Sequence, residues 1–199
     1  MKKIRISVIG QSGEIPPAVE KLAAAVGREI GKRGGILLSG GRDGVMLAAS
    51  RGAREGGGIT VGILPGNKIE EGNPYLDVPI TTGFGFDYRS LILVHSCDAL
   101  IMIGGKGGTL TEFTTAYQNG RSVVVLQGSG GWADRVEELV ADGYLDDRHS
   151  GEIRFATTPG EAVSLAFSLA EEAGSLSNGA SRTASCRKYP PTAGDTQTY

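Results

Sequence analysis

A five-residue apolar run that leads directly into a glycine-rich turn most constrains how this chain can fold. The run Ala99–Ile103 predicts a buried strand, and the turn after it (GGKGGT, 104–109) is followed at once by a helical pattern. In this order, free backbone N–H groups and the positive end of the helix dipole meet at one point, which is typical of an anion site. The residues predicted to bind a phosphorylated ligand there are Gly105, Lys106, Gly107, Gly108 and Thr109. Thr109 is also the predicted N-cap of the helix, and Lys106 is either a cationic contact or a solvated surface lysine.

Small, glycine-containing turns also follow three other predicted strands, at 10–13, 39–41 and 65–66. Strand and helical patterns alternate about six times, and the strands are apolar on both faces. This pattern predicts an α/β, Rossmann-like three-layer fold, with a mostly parallel sheet flanked by helices. Ligands bind such sheets beyond the carboxyl ends of the strands, near the switch point. The turns should therefore converge on one crevice, with Gly10, Ser12, Gly40 and Gly41 as further binding residues.

The remaining sequence pattern predicts where the domain begins and ends. Asp43 is predicted to cap the helix after the second strand, and 132–145 reads as a helix with Trp132 and Val136 on one face. Residues 1–174 are predicted to form one nucleotide-binding domain. The segment 175–199 is rich in Ser, Thr, Gly and Pro without periodicity, which predicts a disordered polar tail.

Composition and motifs exclude several classes of function. A net charge of −2 favours neither nucleic acid nor an anionic membrane as partner. Two distant cysteines and the lack of a long apolar segment indicate a cytoplasmic protein without disulfides. The dinucleotide fingerprint and the P-loop lysine pattern are both missing. The two histidines do not show a metal-ligand spacing, so we predict no metal site and no required cofactor.

Two charged residues flank the glycine turn in sequence. Arg89 lies early in the helix before the apolar strand, where it could clamp a phosphate or ribose group. Glu112 lies one turn into the following helix and can face the same crevice. A surface position would explain either residue alone, but it explains the pair around a glycine turn less well. Arg89 and Glu112 are therefore the candidate catalytic residues.

These residues resemble the LONELY GUY (LOG) family of Rossmann-like phosphoribohydrolases and its superfamily, long mislabelled as lysine decarboxylases. The family motif is P-G-G-x-G-T-x-x-E, preceded by an arginine on the helix before the strand. Here 108–112 (GTLTE) matches the end of the motif, and Arg89 precedes Glu112 by the family's interval. The stretch 37–66 is similar to the family's second and third strand segments. The resemblance covers roughly residues 4–158.

The resemblance implies an enzyme that cleaves the N-glycosidic bond of a nucleoside 5′-monophosphate, releasing free base and ribose 5-phosphate. Gly104 stands where the motif has proline, and Lys106 where it has glycine. With these two departures, the chain is similar to a short branch of the superfamily. That branch is related to the molybdenum cofactor carrier proteins of algae. The two departures imply the alternative, a nucleotide or molybdenum-cofactor carrier without turnover. Either reading implies a bound nucleotide monophosphate or another phosphorylated small molecule, and a homo-oligomer of two or more copies.

Overall fold

The sheet consists of seven strands, all parallel, in the computed structural model, which describes residues 3–179. Their order across the sheet is β4-β3-β2-β1-β5-β6-β7. The strands are β1 (Arg5–Gly10), β2 (Ile36–Ser39), β3 (Ile59–Leu64), β4 (Val78–Thr81), β5 (Ala99–Ile103), β6 (Ser122–Leu126) and β7 (Ile153–Ala156). The chain builds outward from β1 to β4, then crosses back and places β5 on the other side of β1. The switch point therefore lies between β1 and β5.

Five helices cover the two faces of the sheet. They are α1 (Pro17–Lys32), α2 (Val45–Glu55), α3 (Gly85–Ser96), α4 (Gly107–Gln118) and α5 (Pro159–Gly179). The side chains of α1, α2 and α5 form one hydrophobic core with one face of the strands, and those of α3 and α4 form a second core with the other face. The predicted three-layer Rossmann-like fold is confirmed.

The central strand β5 is buried over its whole length, as its apolar run predicts. Its side chains alternate between the two cores, with Ile101 in one and Met102 in the other. Asp98, directly before β5, accepts hydrogen bonds from the backbone N–H of Arg5 (2.9 Å) and from its guanidinium (2.6 Å). This pair ties the start of β5 to the start of β1, and so fixes the two strands whose opposite ends form the switch point.

Glycines bring α1 and α2 into close contact. A β-carbon at Gly27 would overlap the carbonyl oxygen of Ala49, and one at Gly52 would overlap that of Ala24. Because each contact is with backbone, no side-chain rotation could relieve it. The short distance between the two helices thus depends on residues without side chains.

The prediction of a helix at 132–145 is wrong. This segment contains a 3₁₀ turn at Val136–Leu139 and other turns, but not an α-helix. Some of its backbone groups form turns within the segment, and others bond to neighbouring loops. The N–H groups of Trp132 and Ala133 donate to the carbonyls of Gly105 (3.1 Å) and Gly104 (3.0 Å). The carboxylate of Asp134 accepts from the N–H groups of Gly128 (2.7 Å) and Gly130 (3.0 Å). The apolar spacing of Trp132 and Val136 read from sequence reflects their packing in and against the core, not a regular helix.

The last helix, α5, continues to Gly179 and so includes the first five positions of the predicted tail, 175–199. The rest of that tail lies outside the described residues, and its predicted disorder stays a prediction. Among the described residues, no helix combines the length and apolar character needed to cross a membrane.

Candidate functional site

A cleft of about 680 Å³ opens at the carboxyl ends of β1 and β5. It lies at the switch point, where the loops after the two strands turn to opposite faces of the sheet. Its walls come from the loops after β1, β2 and β5 and from the first turns of α3 and α4. The predicted site residues that line it are Gly10, Ser12, Gly40, Arg89, Lys106, Gly108, Thr109 and Glu112. The loops after β1, β2 and β5 thus converge on one crevice as predicted, whereas the predicted fourth turn, at 65–66 after β3, does not line it.

Helix α4 presents its N-terminus to this cleft without a side-chain cap. The helix begins at Gly107, so the N–H groups of 107–109 have no carbonyl partner within it. The space around Gly107 and Gly108 is open. Thr109 is therefore the third residue of the helix, and its prediction as the N-cap is wrong because the helix starts two residues earlier. These free donors and the helix dipole favour an anion at this end of the cleft.

Gly104 and Gly105 give the loop before α4 its shape. Both have positive φ angles, +56° at Gly104 and +103° at Gly105. A proline has a φ near −65°, so the proline of the resembled motif does not fit the backbone at position 104. The N–H of Gly104 also donates to Ser129 Oγ (2.8 Å), a bond that proline could not make. The departure from the motif is therefore built into the conformation of this loop.

Arg89 projects from α3 into the cleft and is only 6% exposed. Its Nη1 lies 3.6 Å from Glu112 Oε1, which makes an ion pair but not a hydrogen bond. Its buried Nε also has no hydrogen-bond partner within the described residues. A β-carbon at Gly40 would overlap the Arg89 guanidinium in its observed position, so glycine in the loop after β2 leaves room for this side chain.

Glu112, on the second turn of α4, is 7% exposed and accepts a hydrogen bond from Ser90 Oγ (2.9 Å). Burial raises the pKa of the Glu112 carboxyl, and the charge of Arg89 and the bond from Ser90 only partly offset this effect. Burial likewise lowers the pKa of Arg89, opposed by Glu112 and assisted by the like charge of Arg42. The pair joins a cation with free donors to a carboxyl group whose proton affinity is increased, a combination suited to acid–base chemistry.

Three predicted binding residues do not line this cleft. Gly41 is buried, with a φ of +75°, against Gly62 and Leu64 of β3. Gly107 is exposed at the start of α4. Gly105 lines a second, smaller cleft of about 370 Å³ on the other side of its loop, together with 128–131. From the sequence, these glycines were predicted at the correct edge of the sheet. The sequence did not show which wall of a cleft each glycine would form.

Sequence reasoning missed several residues that line the main cleft. They include Gln11, Arg42, Phe86, Tyr88 and Ser90. Ser90 directly follows Arg89, and Arg42 directly follows the predicted pair Gly40-Gly41, so adjacency was the available signal. The predicted capping role of Asp43 is wrong. Gly44 occupies the N-cap of α2, and the Asp43 carboxylate instead accepts from the N–H of Gly13 (3.0 Å), which holds the loop after β1.

The fold and the cleft define a Rossmann-like α/β protein with a ligand site at the switch point of its sheet. The chain belongs to the SLOG cluster4 family, whose model matches residues 3–163. This membership confirms the LOG-like superfamily indicated by the motif around Arg89 and Glu112.

The chain is similar to individual proteins that are named for each of the two functions that the resemblance implied. A cytokinin riboside 5′-monophosphate phosphoribohydrolase from Mycobacterium marinum is 32% identical over 141 residues, which cover 65% of this chain and 75% of the relative. The molybdenum cofactor binding protein from the phototrophic bacterium Rippkaea orientalis matches with a TM-score of 0.74 at 32% identity, over 85% of this chain and 98% of that chain. The molybdenum cofactor carrier protein from Chlamydomonas reinhardtii matches with a TM-score of 0.73 at 30% identity, over 84% and 98%.

Proposed function

We propose that this chain binds a phosphorylated small molecule in the main cleft and cleaves the N-glycosidic bond of a nucleoside 5′-monophosphate. The observation that carries this proposal is Arg89. Its guanidinium is buried at the cleft, and no acceptor in the described part of the chain lies within hydrogen-bond distance of it. Buried donors without acceptors are costly, and an anionic ligand would satisfy them.

The phosphate is proposed to bind at the N-terminus of α4. The free N–H groups of 107–109 supply donors there, and the dipole of the twelve-residue helix favours negative charge. Lys106, exposed at the rim, adds a cation. In this arrangement the ribose extends from the phosphate toward Arg89 and Glu112, which lie on the wall formed by α3 and α4.

The proposed reaction is hydrolysis. A water oxygen bonds to C1′ of the ribose while the C1′–N bond breaks, and the leaving base takes the electron pair of that bond. Glu112 accepts a proton from the water, and the proton is returned to the base. Positive charge develops on the ribose in the transition state, and the Glu112 carboxylate stabilises it. Burial raises the pKa of Glu112, which increases the proton affinity of its carboxylate and favours its role as a general base.

The test is release of free base. Purified protein is incubated with AMP and with an N6-substituted AMP, and free base is quantified by liquid chromatography. We expect Glu112→Gln to lower turnover by about 10²-fold or more, because it removes the proton acceptor but keeps the shape of the side chain. Glu138→Gln, at an exposed position outside the cleft, is the matched control and should match the wild type. No release of base from a panel of monophosphates at high protein concentration would contradict the enzymatic proposal.

A second candidate function is a non-catalytic carrier of a molybdopterin-type cofactor or of a nucleotide. Two observations favour it. The chain matches nearly the full length of two solved structures named for molybdenum cofactor binding or carriage. The loop before α4 has a positive φ at Gly104, which the proline of the hydrolase motif does not allow.

Native mass spectrometry of freshly purified protein separates the two candidates. A carrier is expected to retain a phosphorylated ligand and to release no base from nucleotides. If neither nucleotides nor the cofactor bind at micromolar concentration, both candidates are wrong. A homo-oligomer, a cytoplasmic location and independence from metal or a required cofactor also stay predictions.

A further inference from the structure

Phe86 is an aromatic side chain that lines the main cleft and is open to solvent. It lies in the first turn of α3 and is 57% exposed. Neither of the two hydrophobic cores in the described part of the chain includes it. Exposure of a large apolar ring to water is unfavourable, and packing in a core does not explain its position. Aromatic side chains in clefts are typical contacts of small-molecule ligands.

The backbone that carries Phe86 is held by the loop after β3. The N–H of Gly85 donates to the Pro65 carbonyl (3.0 Å), and the N–H of Gly83 donates to the Gly66 carbonyl (3.1 Å). Gly83 and Gly85 have positive φ angles, +69° and +72°, which residues with side chains rarely adopt. The turn at 65–66 does not line the cleft, but it thus fixes the start of α3 and with it the position of Phe86.

Two guanidinium groups contact the ring of Phe86. The central carbon of the Arg42 guanidinium lies 5.6 Å from the ring centroid, and that of Arg89 lies 5.9 Å from it. Both distances are within the range of a cation–π contact. The loop that carries Arg42 is held in turn, since the Arg42 carbonyl accepts from Asn73 Nδ2 (3.0 Å). These contacts orient the ring, yet more than half of the residue's surface stays open for a further contact.

The contact with Arg89 places this ring beside the proposed reaction centre. Arg89 pairs with Glu112, where the proposed function places C1′ of the ribose. The base is bonded directly to C1′, so it must lie next to this pair. Tyr88 is the other aromatic side chain that lines the cleft, but within the described residues no guanidinium lies over its ring. Phe86 is therefore the aromatic residue that is tied to the site of bond cleavage.

We propose that Phe86 binds the base of the substrate by stacking, and that the base is recognised through its flat ring face. This inference rests on the proposed function, which places the phosphate at the N-terminus of α4 and the ribose at Arg89 and Glu112. Every base has a π-face, so a stacking contact supplies affinity for the base without reading its hydrogen-bonding edge. Polar groups then hold the phosphate and the ribose, and Phe86 holds the base.

Isothermal titration calorimetry with AMP and with ribose 5-phosphate tests this proposal. Ribose 5-phosphate has the phosphate and the ribose but no base, and the wild type is expected to bind AMP about tenfold more tightly. Phe86→Ala should weaken AMP binding about tenfold, while the dissociation constant for ribose 5-phosphate changes by less than about threefold.

Two conservative variants test the stack through AMP binding alone. Phe86→Tyr should keep the wild-type affinity for AMP, because it keeps the ring. Phe86→Leu should lose most of the gain over ribose 5-phosphate, because it is apolar but has no ring face. If Phe86→Leu bound AMP as tightly as the wild type and Phe86→Tyr, the inference would be wrong.

Phe84→Ala is the matched control. Phe84 lies two residues before Phe86 and is also largely exposed, but it does not line the main cleft. This variant should bind AMP like the wild type. Unchanged AMP affinity in Phe86→Ala overturns the inference, as does an equal loss for AMP and ribose 5-phosphate. In those cases AMP binding by the wild type leaves the proposed function standing. If the wild type does not bind AMP, both proposals fail.

Discussion

At the scale of single residues, Arg89 is a charged side chain that is costly to bury. It carries a full charge, is 6% exposed and has one ion-pair contact at 3.6 Å. Removing a charge from water is unfavourable unless hydrogen bonds replace those to the solvent. Arg89 lies at the switch point of the sheet, where a bound ligand can offset the unfavourable free energy of burying its charge. This is the reason to interpret Arg89 as a binding group and not as a structural one.

Cys97 lies in the core beneath α3 and provides a prediction with a pH-dependent outcome. Burial raises the pKa of its thiol to about 12, so the reactive thiolate is scarce in the native protein at pH 8. In a Cys186→Ser background, Cys97 is the only thiol. We expect native protein to react with iodoacetamide more than about a thousandfold more slowly than protein in 6 M guanidinium chloride. Native and unfolded rates within tenfold of each other would contradict the buried position.

Single residues also show which parts of the site could not be predicted from the sequence. Arg89 and Glu112 were predictable because their spacing around the glycine turn matches a known motif. Arg42 was not predicted, because its adjacency to Gly40 and Gly41 does not show whether its side chain faces solvent or the cleft. Its position depends on contacts with Asn73, which lies 31 residues further along the chain.

At the scale of secondary structure, the contact between α1 and α2 sets a strict limit on side-chain size. Gly52→Ala would place a β-carbon against the backbone of Ala24. We expect destabilisation of at least about 1–3 kcal/mol, because two packed helices would have to move apart. Chemical denaturation monitored by circular dichroism measures the change in the free energy of unfolding.

Gly160→Ala, in the first turn of α5, is the matched control for this prediction. A β-carbon at Gly160 meets no atom within 4 Å, and its φ is not positive. The substitution should be neutral or stabilise the protein by up to about 1 kcal/mol through helix propensity. If Gly52→Ala were as stable as Gly160→Ala, the close helix contact would be wrong.

Secondary structure was predictable where the period of the apolar residues matches a single helix or strand that packs against one hydrophobic core. The alternation of strands and helices from β1 to α4 followed from such patterns and from glycines at the strand ends. The segment 132–145 shows the limit of the method. Val136 is buried as its apolar spacing predicts, but Leu139 is 53% exposed, and the N–H groups of Trp132 and Ala133 bond to the loop before α4. Apolar periodicity in this segment therefore predicted part of the burial but not the hydrogen-bond partners of the backbone.

At the scale of the whole molecule, the cleft joins both sides of the sheet, so ligand binding should stabilise the entire fold. A ligand at one hundred times its dissociation constant adds about 2.7 kcal/mol to the free energy of unfolding. For a chain of this length, that corresponds to a rise in Tm of roughly 5–11 °C. We expect saturating AMP to give such a rise in differential scanning fluorimetry.

Arg89→Gln should lose most of this shift, because it removes the buried cation that contacts the ligand in our proposal. Arg135→Gln, outside the main cleft, should show the same rise as the wild type. If AMP raised the Tm of Arg89→Gln as much as that of the wild type, the ligand would bind elsewhere on the molecule.

The close approach of Gly40 to Arg89 also has an evolutionary consequence. A β-carbon at position 40 would collide with the guanidinium, so a substitution at 40 is tolerated only if the residue at 89 becomes smaller or moves. The two positions lie on different elements and are 49 residues apart, yet they are expected to change together in descendants of this sequence. A lineage that replaced the arginine would relieve this contact and leave Met46 Sδ, 2.7 Å from a β-carbon at position 40, as the remaining obstacle to replacing the glycine. The joint loss of the arginine and the glycine would mark copies of this fold that no longer bind an anion at this site.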